Sequence, residues 1–555
     1  MGSFKFVRPG ITSFWASFNI WTATRFLSFL AVLLPLLALA EGLFSASSQY
    51  WEYVSRHLLG GYLAQTLGLT LGAALCAFIV GVALAWVMTF YDFRGRGFFE
   101  VALVVPLAIP PYIAAYAYDG LLGYTGMIQT FFRNQLGLKI SGLIASIPAP
   151  AWAVFVFSAT LFPYVYILTK AFLRHQSAAI FENARLLGGG GLRLFLKVGF
   201  PLLWPSASAG AILVGLETLN DFGVSSYFGL TTFTTAIFAA WFGMGDSDTA
   251  VKLALILLGI VLMVLLARKA IWRANRYRVV SSREKPLCPR RIRGTGQTAI
   301  LALCLSALAA GFVIPVIQMF YWLEVSWSSA WTRELAGTMG FTLAVSAMAT
   351  ALIMAAAAAT VNANRIYSGP LSTILSQGAT LGYAIPSAVL AIGVISFFMR
   401  ADQIFLSLTG LQTTKPLSQS LIMLVFAFGL RFFTIGYQSV EAGFAKLPIT
   451  YAEASRTLGR GVTATFLRVD LPLIRPALLS GAALVFIDIL KELPLSLLLR
   501  PFNTETLGTM AYHFAKNEVL EETALPSLCI ISAGTVFMLL AGILEKRGEK
   551  KGNVS

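Results

Sequence analysis

The chain has 555 residues, 57% of them hydrophobic and only 12% charged, with a net charge of +16 and a mean hydropathy of +0.76. Apolar usage in soluble domains lies near about 45–50%, so composition excludes a soluble globular protein and implies an all-α polytopic membrane protein. The basic excess falls in particular loops, which points to membrane topology and away from nucleic acid.

A bilayer core of about 30 Å takes about 20 helical residues to cross. Apolar runs of that kind occur at about 26–44, 62–90, 98–118, 150–173, 202–221 and 250–270. A second set occurs at about 298–323, 338–361, 371–398, 418–440, 474–499 and 525–543. The expected fold is therefore about 12 transmembrane helices in two six-helix units, 1–270 and 298–555, joined by a basic linker at 271–297. Runs 62–90 and 371–398 are long enough to tilt or to extend beyond the bilayer. Lys5, Arg8 and Arg25 stand in or before the first run, no clear cleavage pattern follows, and an uncleaved first span is expected.

The linker "IWRANRYRVVSSREKPLCPRRIRGTGQ" is rich in Lys and Arg and holds one acid. Short basic loops stay in the cytoplasm. With six spans on each side, both termini share that face, as the C-terminal "EKRGEKKG" agrees. Opposite loops such as "MGDSD" (244–248) and "KNEVLEE" (516–522) are net acidic, although Arg133, Lys139 and Lys415 also fall there. The four cysteines form no C-x-x-C pair and the three histidines are scattered, so neither a disulfide framework nor a zinc site is implied.

The halves repeat. "IFENARLLGGGGLRLFLKVGFPLLWPSASAG" (180–210) aligns without gaps to "YAEASRTLGRGVTATFLRVDLPLIRPALLSG" (451–481), a constant offset of 271, with 12 of 31 positions identical. The identities include Glu182/Glu453, Arg185/Arg456, Gly188/Gly459, Pro201/Pro472 and Pro205/Pro476. A weaker echo relates "LAIPPYIAAYAY" (107–118) to "YAIPSAVLAIGV" (383–394). Equal span numbers and like basic ends make these parallel repeats, an arrangement that builds transport pathways at repeat interfaces.

Both copies of the passage should face the cytoplasm. In the second copy, 452–458 can form a short helix that Gly459 ends in a left-handed conformation. An amphipathic segment follows, and Pro472 and Pro476 then break the helix before the next span. The residues alone allow either an interfacial helix lying on lipid or a docking elbow. The passage resembles the "EAA" coupling loop of ABC-importer permeases, in "YAEASRTLG…DLP" and the more divergent "FENARLLGG…GFP". The first copy departs with Asn183 in place of Ala454 and Phe200 in place of Leu471. The resemblance implies a type I permease fold. It also implies that Glu182, Ala184, Arg185 and Gly188, with Glu453, Ala454, Arg456 and Gly459, contact two copies of an ABC ATPase subunit. No G-x-x-x-x-G-K-[ST] motif occurs, and "GGGG" (188–191) lacks the Lys and Ser/Thr that would hold phosphate. ATP and its magnesium therefore belong to a separate subunit, and this chain needs no cofactor of its own.

Paired acids occupy the segments after each elbow. At the 271 offset Glu217 matches Asp488 and Asp221 matches Glu492, each pair spaced i, i+4 and so expected on one helix face. Charges in mid-membrane cost about 2.5–3.5 kcal/mol on insertion scales and usually face a cavity. Four carboxylates suit a hard cation; alternatively, Lys491 or a neighbouring Arg neutralises them and they only pin helices. A thiamine cation would want aromatic walls, which Tyr112, Tyr116, Tyr118 and Tyr227 could supply, although packed or interfacial tyrosines are the simpler reading.

The architecture of two fused six-span units, with "FIDILKELPLSLLLRPFNTETLGTMAY" (486–512), resembles the fused permeases of ferric-iron importers. That resemblance implies ferric iron as transient cargo on the four acids and an extracytoplasmic iron-binding protein as partner, docked near Arg500, Pro501, Phe502 and Asn503. It further implies a place in the bacterial inner membrane. Fused permeases for thiamine and aminoethylphosphonate look broadly similar. A secondary transporter driven by an ion gradient is the alternative of another class, and it has no reason to keep two cytoplasmic elbows.

Overall fold

The computed structural model describes residues 20–44, 48–138, 141–174, 176–187, 191–275, 289–367, 369–410, 416–418, 420–448 and 450–552. They are almost wholly helical, as lipid demands of a spanning chain whose backbone must satisfy itself. Among them nine helices are long and apolar enough to cross a membrane, or eleven if each of two sharply bent pairs is one span. Twelve were expected. The last expected run lies in helix Ala524–Gly552, and residues 276–288 of the basic linker lie outside the described residues. Among the described residues the one strand pairing is two residues long, Tyr91–Asp92 against Arg290–Arg291 in parallel.

The described residues divide into two compact units that do not coincide with the sequence halves. The first-repeat unit comprises 47–331 and 510–531, and the second-repeat unit comprises 1–46, 332–509 and 532–555. The opening helix, Ile20–Ala40, thus packs within the second-repeat unit: Arg25 is buried there and donates to Ser372 Oγ at 2.7 Å and to the Tyr367 carbonyl at 3.3 Å. Helix Ile314–Ala330 and the turn before it lie within the first-repeat unit, where the Tyr118 hydroxyl donates to the Ala310 carbonyl at 2.6 Å. A first span whose apolar face is generic can cover either bundle; the buried Arg25 contacts show which one it covers.

The repeat recurs as structure. Ile109 and Ile385 are both extended, followed by Pro110 and Pro386 near ψ 140°, and each ends a 3₁₀ turn before a new helix begins at Pro111 or Ser387. A residue before proline is pushed out of the α region. The run 371–398 is therefore not one long tilted helix, and 98–118 is bent by 92°. Further on, the N–H of Phe233 donates to Thr66 Oγ1 at 3.1 Å, and the N–H of Leu507 donates to Thr342 Oγ1 at 3.0 Å. Each helix start is thereby docked on the long span of its own unit.

Small residues set the helix spacing, as in membrane bundles generally. A Cβ on Gly210 would stand 2.6 Å from the Val165 Cα, and one on Gly81 2.6 Å from the Val165 Cβ. Gly481, the partner of Gly210 at the 271 offset, is as close to Ser439. Gly210→Ala should therefore destabilise the protein by about 1–3 kcal/mol through overpacking. Gly60→Ala, where a Cβ meets nothing within 4 Å, should be neutral. Thermal unfolding of the purified variants in one detergent checks the difference.

Candidate functional site

The two elbows are built alike. In the first, Ser177 caps helix Ala178–Leu186 by accepting from the Ala179 N–H at 3.3 Å, and a π-turn at Phe195–Gly199 leads into helix Phe200–Asn220. In the second, helix Thr450–Thr457 is followed by a π-turn at Phe466–Asp470, the same offset of 271 on. Gly459 adopts φ 78°, the Arg460 N–H reaches the Ser455 carbonyl at 3.2 Å, and the Gly459 N–H reaches the Arg456 carbonyl at 2.9 Å. This pair of bonds is a Schellman cap, which needs a left-handed residue at that position. Glu182, Arg185, Glu453, Ala454 and Arg456 are exposed, and Ala184 is half-buried. Gly188 lies outside the described residues. Leu186, Leu187 and Leu458 are each more than 80% exposed. Singly exposed leucines need no explanation, but three beside charged residues on matched elbows form surfaces fit for a partner.

Each elbow is bolted to its own unit by different chemistry. Phe181 packs edge-on against Phe90 at 4.7 Å and against Trp86 at 6.1 Å, and Trp86 also meets Phe195 at 5.0 Å. In the other unit buried Asp470 pairs with Arg365 at 3.3 Å, Arg365 lies over the Phe444 ring, and Phe466 meets Trp21 at 5.0 Å.

The prolines act differently in the two copies. Around Pro472 and Pro476 the helix breaks at Ile474 with a bend of 76°. Pro201 and Pro205 do not break theirs, and Gly191–Asn220 runs on as one span. Phe200 and Trp204, one turn apart at 5.6 Å, both pack on Phe78 and tie the turns around Pro201 together. Their counterparts Leu471 and Arg475 have no such ring contact to make.

The acids do not share a helix face. Glu217 lies within helix Phe200–Asn220, but Asp221 is its C-cap with ψ 137°. Asp488 lies within helix Arg475–Leu490, and Glu492 falls beyond its end. The second helix ends at Leu490 with Lys491 as its C-cap, and a new short helix opens at Pro494, which has no N–H to continue the first. Asp221 Oδ2 instead accepts from the Ser225 N–H at 3.1 Å, and Glu492 Oε1 accepts from the Leu495 N–H at 3.3 Å. Both acids therefore serve the short helix that follows. Glu217 and Asp221 belong to the first-repeat unit, Asp488 and Glu492 to the second. Among the described residues no three His, Cys, Asp or Glu side chains are grouped so as to hold a metal ion.

The two acid sites differ in charge. Asp488 pairs with Lys491 at 2.6 Å. Glu492 accepts from Ser387 Oγ at 2.7 Å, and its other oxygen lies 3.6 Å from Arg431 Nε, while Arg431 Nη1 donates to the Ile385 carbonyl at 2.9 Å. Asp221 has no salt bridge among the described residues; its carboxylate is held by Ser225, and its own carbonyl accepts from Thr234 Oγ1 at 2.6 Å. Arg431 was missed in the sequence, although an arginine inside the apolar run 418–440 is itself a signal.

Residues 347–550 match the family described as binding-protein-dependent transport system inner membrane component. That stretch is an ABC transporter permease domain. The chain is 23% identical to an Fe(3+)-transport system permease protein of Haemophilus influenzae, over 88% of this chain and 91% of that one. It is 24% identical to a probable ABC transporter permease protein of Sinorhizobium fredii, over 87% of each. A sulfate transport system permease protein of Salmonella typhimurium is 29% identical over 39% of this chain and 74% of its own. Subunits of this kind are transport components of the membrane and work with an ATPase and a substrate-binding protein.

Arg431→Met should cost about 3–5 kcal/mol, because it strands a buried carboxylate. Glu492→Gln should cost less, since its amide oxygen can still accept from Ser387 and Leu495. Unfolding midpoints of the two variants in detergent, ranked against the parent, check this order.

Proposed function

We propose that the permease moves ferric iron into the cell, driven by two copies of an ABC ATPase subunit that dock on the elbows 178–190 and 449–461. ATP and magnesium bind those subunits, and this chain contributes no catalytic group or cofactor. The elbows then correspond to the EAA coupling loops. The termini and the basic linker lie on the cytoplasmic side of a bacterial inner membrane, and an extracytoplasmic iron-binding protein delivers cargo to the other face. ATP-driven closure of the ATPases draws the elbows together and opens the pathway outward; hydrolysis resets the inward-facing state.

The observation that carries the substrate is Asp221, half-buried at the end of a span with hydrogen bonds but no salt bridge among the described residues. A carboxylate left so in a membrane protein marks a pathway for a cation. Glu217, Asp221, Asp488 and Glu492 are the proposed transient oxygen ligands, the last two modulated by Lys491 and Arg431. Whole-chain likeness to an Fe(3+)-transport permease supports the same cargo. Sulfate, the cargo named for some relatives, would want unpaired cations, and Arg431 and Lys491 are engaged with acids.

Two measurements test the proposal. Replacing Glu182 and Glu453 together by Ala should uncouple ATP hydrolysis from uptake or release the ATPases on co-purification; unchanged coupling and assembly would remove the elbow assignment. Glu217→Gln with Asp221→Asn should depress ferric uptake by about tenfold or more, the scale on which lost metal-positioning groups act. Full iron uptake by that variant, with the ATPases bound, excludes the carboxylate pathway.

A further inference from the structure

A file of phenols leads away from Asp221 within the first-repeat unit. Tyr116 is fully buried, with ring contacts to Tyr112 at 5.8 Å and to Tyr227 at 4.7 Å. Asp221 holds the first turn of the short helix Gly223–Tyr227 that carries Tyr227, accepting from the Ser225 N–H at 3.1 Å. Tyr227 in turn donates from its hydroxyl to Asp119 Oδ2 at 2.7 Å. Asp119 is exposed and lines a cavity of about 440 Å³ together with Tyr118, Tyr124, Gln129, Trp152 and Phe228. Asp221 stands at the end of helix Phe200–Asn220 away from the first elbow, and Tyr227 follows it on the next short helix.

One feature of the file is costly to the fold. The Tyr116 hydroxyl is buried and makes no hydrogen bond among the described residues. A buried polar atom left so costs about 1–3 kcal/mol, and phenylalanine would fill the same space without that cost. Packing explains the ring and leaves the oxygen unexplained. Phenol and carboxylate oxygens are hard donors, the kind that a small, highly charged cation prefers.

We infer that Asp119, Tyr227, Tyr116 and Asp221 form an oxygen relay that passes ferric iron from the outer cavity to the carboxylate at the end of the span. The relay rests on the ferric reading proposed above and adds phenol ligands to it. At Tyr227 the Fe–O bond forms as the phenol O–H breaks, and the proton moves to the Asp119 carboxylate that already accepts it. A bound cation drives such deprotonation of its ligand. When iron moves on, the proton returns to Tyr227; no electron is exchanged and the iron stays ferric. Tyr116 offers its neutral phenol oxygen as the next donor, and Asp221 receives the ion. No site in the file is tight, as conduction requires.

The test uses the whole transporter with its ATPases and binding protein, and radiolabelled ferric iron as probe. Tyr227→Phe and Tyr116→Phe should each slow uptake by about tenfold, although Tyr116→Phe removes an unsatisfied group and should leave unfolding unchanged or improved. Ferric iron added to the purified protein should give a visible phenolate-to-iron charge-transfer absorption that Tyr227→Phe abolishes. Parental uptake by both Phe variants, with no such absorption, overturns the relay. Uptake kept by Phe and lost by Leu at these positions also overturns it, and assigns the rings to an organic cation. If the parent carries no ferric iron at all, the substrate reading fails by that result, before any variant is compared.

Discussion

The buried pair of Arg431 and Glu492 is the constraint around which the second-repeat unit is arranged. The pair stands beside two departures from the helix in that unit, Ile385–Pro386 and the turn at 491–493. Inside a membrane such places need partners, because no water is available to bond the freed backbone groups. Arg431 supplies one by donating to the Ile385 carbonyl, and Glu492 supplies the other by accepting from the Leu495 N–H. Their mutual attraction, with Ser387 bonded to Glu492, locks both breaks to helix Leu421–Ala445. A buried ion pair is weak evidence for net stability, but losing one partner is expensive, so the arrangement admits one geometry.

The first-repeat unit meets the same demand without an ion pair. Its break at Ile109–Pro110 precedes a helix that opens with a second proline, Pro111, whose missing N–H costs nothing at a first turn. Its acid, Asp221, is satisfied by Ser225, and Thr234 closes the turn from the other side. The two copies of an ancestral unit thus diverged in charge while keeping their backbone. One acid is paired with arginine, and the other is held by a serine without a salt bridge among the described residues.

Much of this was legible in the residues. Apolar runs located the spans, and the gapless repeat located the elbows. Gly459 indicated a left-handed cap because few other residues tolerate that conformation. The acids are legible by type and offset but not by place: i, i+4 spacing implies a shared face only while the helix lasts, and the helices end first, at the cap Asp221 and at Leu490. The Ile-Pro dipeptides were seen as a repeat and not as breaks, although the restriction before proline was sufficient to predict them. That Ile20–Ala40 packs with residues 332–509 could not be read from sequence. Its apolar face is not specific, and the polar contacts of Arg25 with Ser372 and Tyr367 and of Ser28 with Thr360 select the neighbour.

If the elbows are where ATPases push, the two halves must transmit that push differently. In the first-repeat unit the span Gly191–Asn220 is a continuous rod of about 45 Å at 1.5 Å per residue. It has the elbow at one end and Asp221 at the other, so a displacement at the elbow reaches Asp221 with little loss. In the second-repeat unit a 76° bend at Ile474 separates the elbow from Glu492, and Arg431 holds Glu492 to its neighbours. Motion there can be absorbed at the bend while the acid stays in place. The uncompensated carboxylate is thus the one a rigid lever can move, and the neutralised one is the one held still.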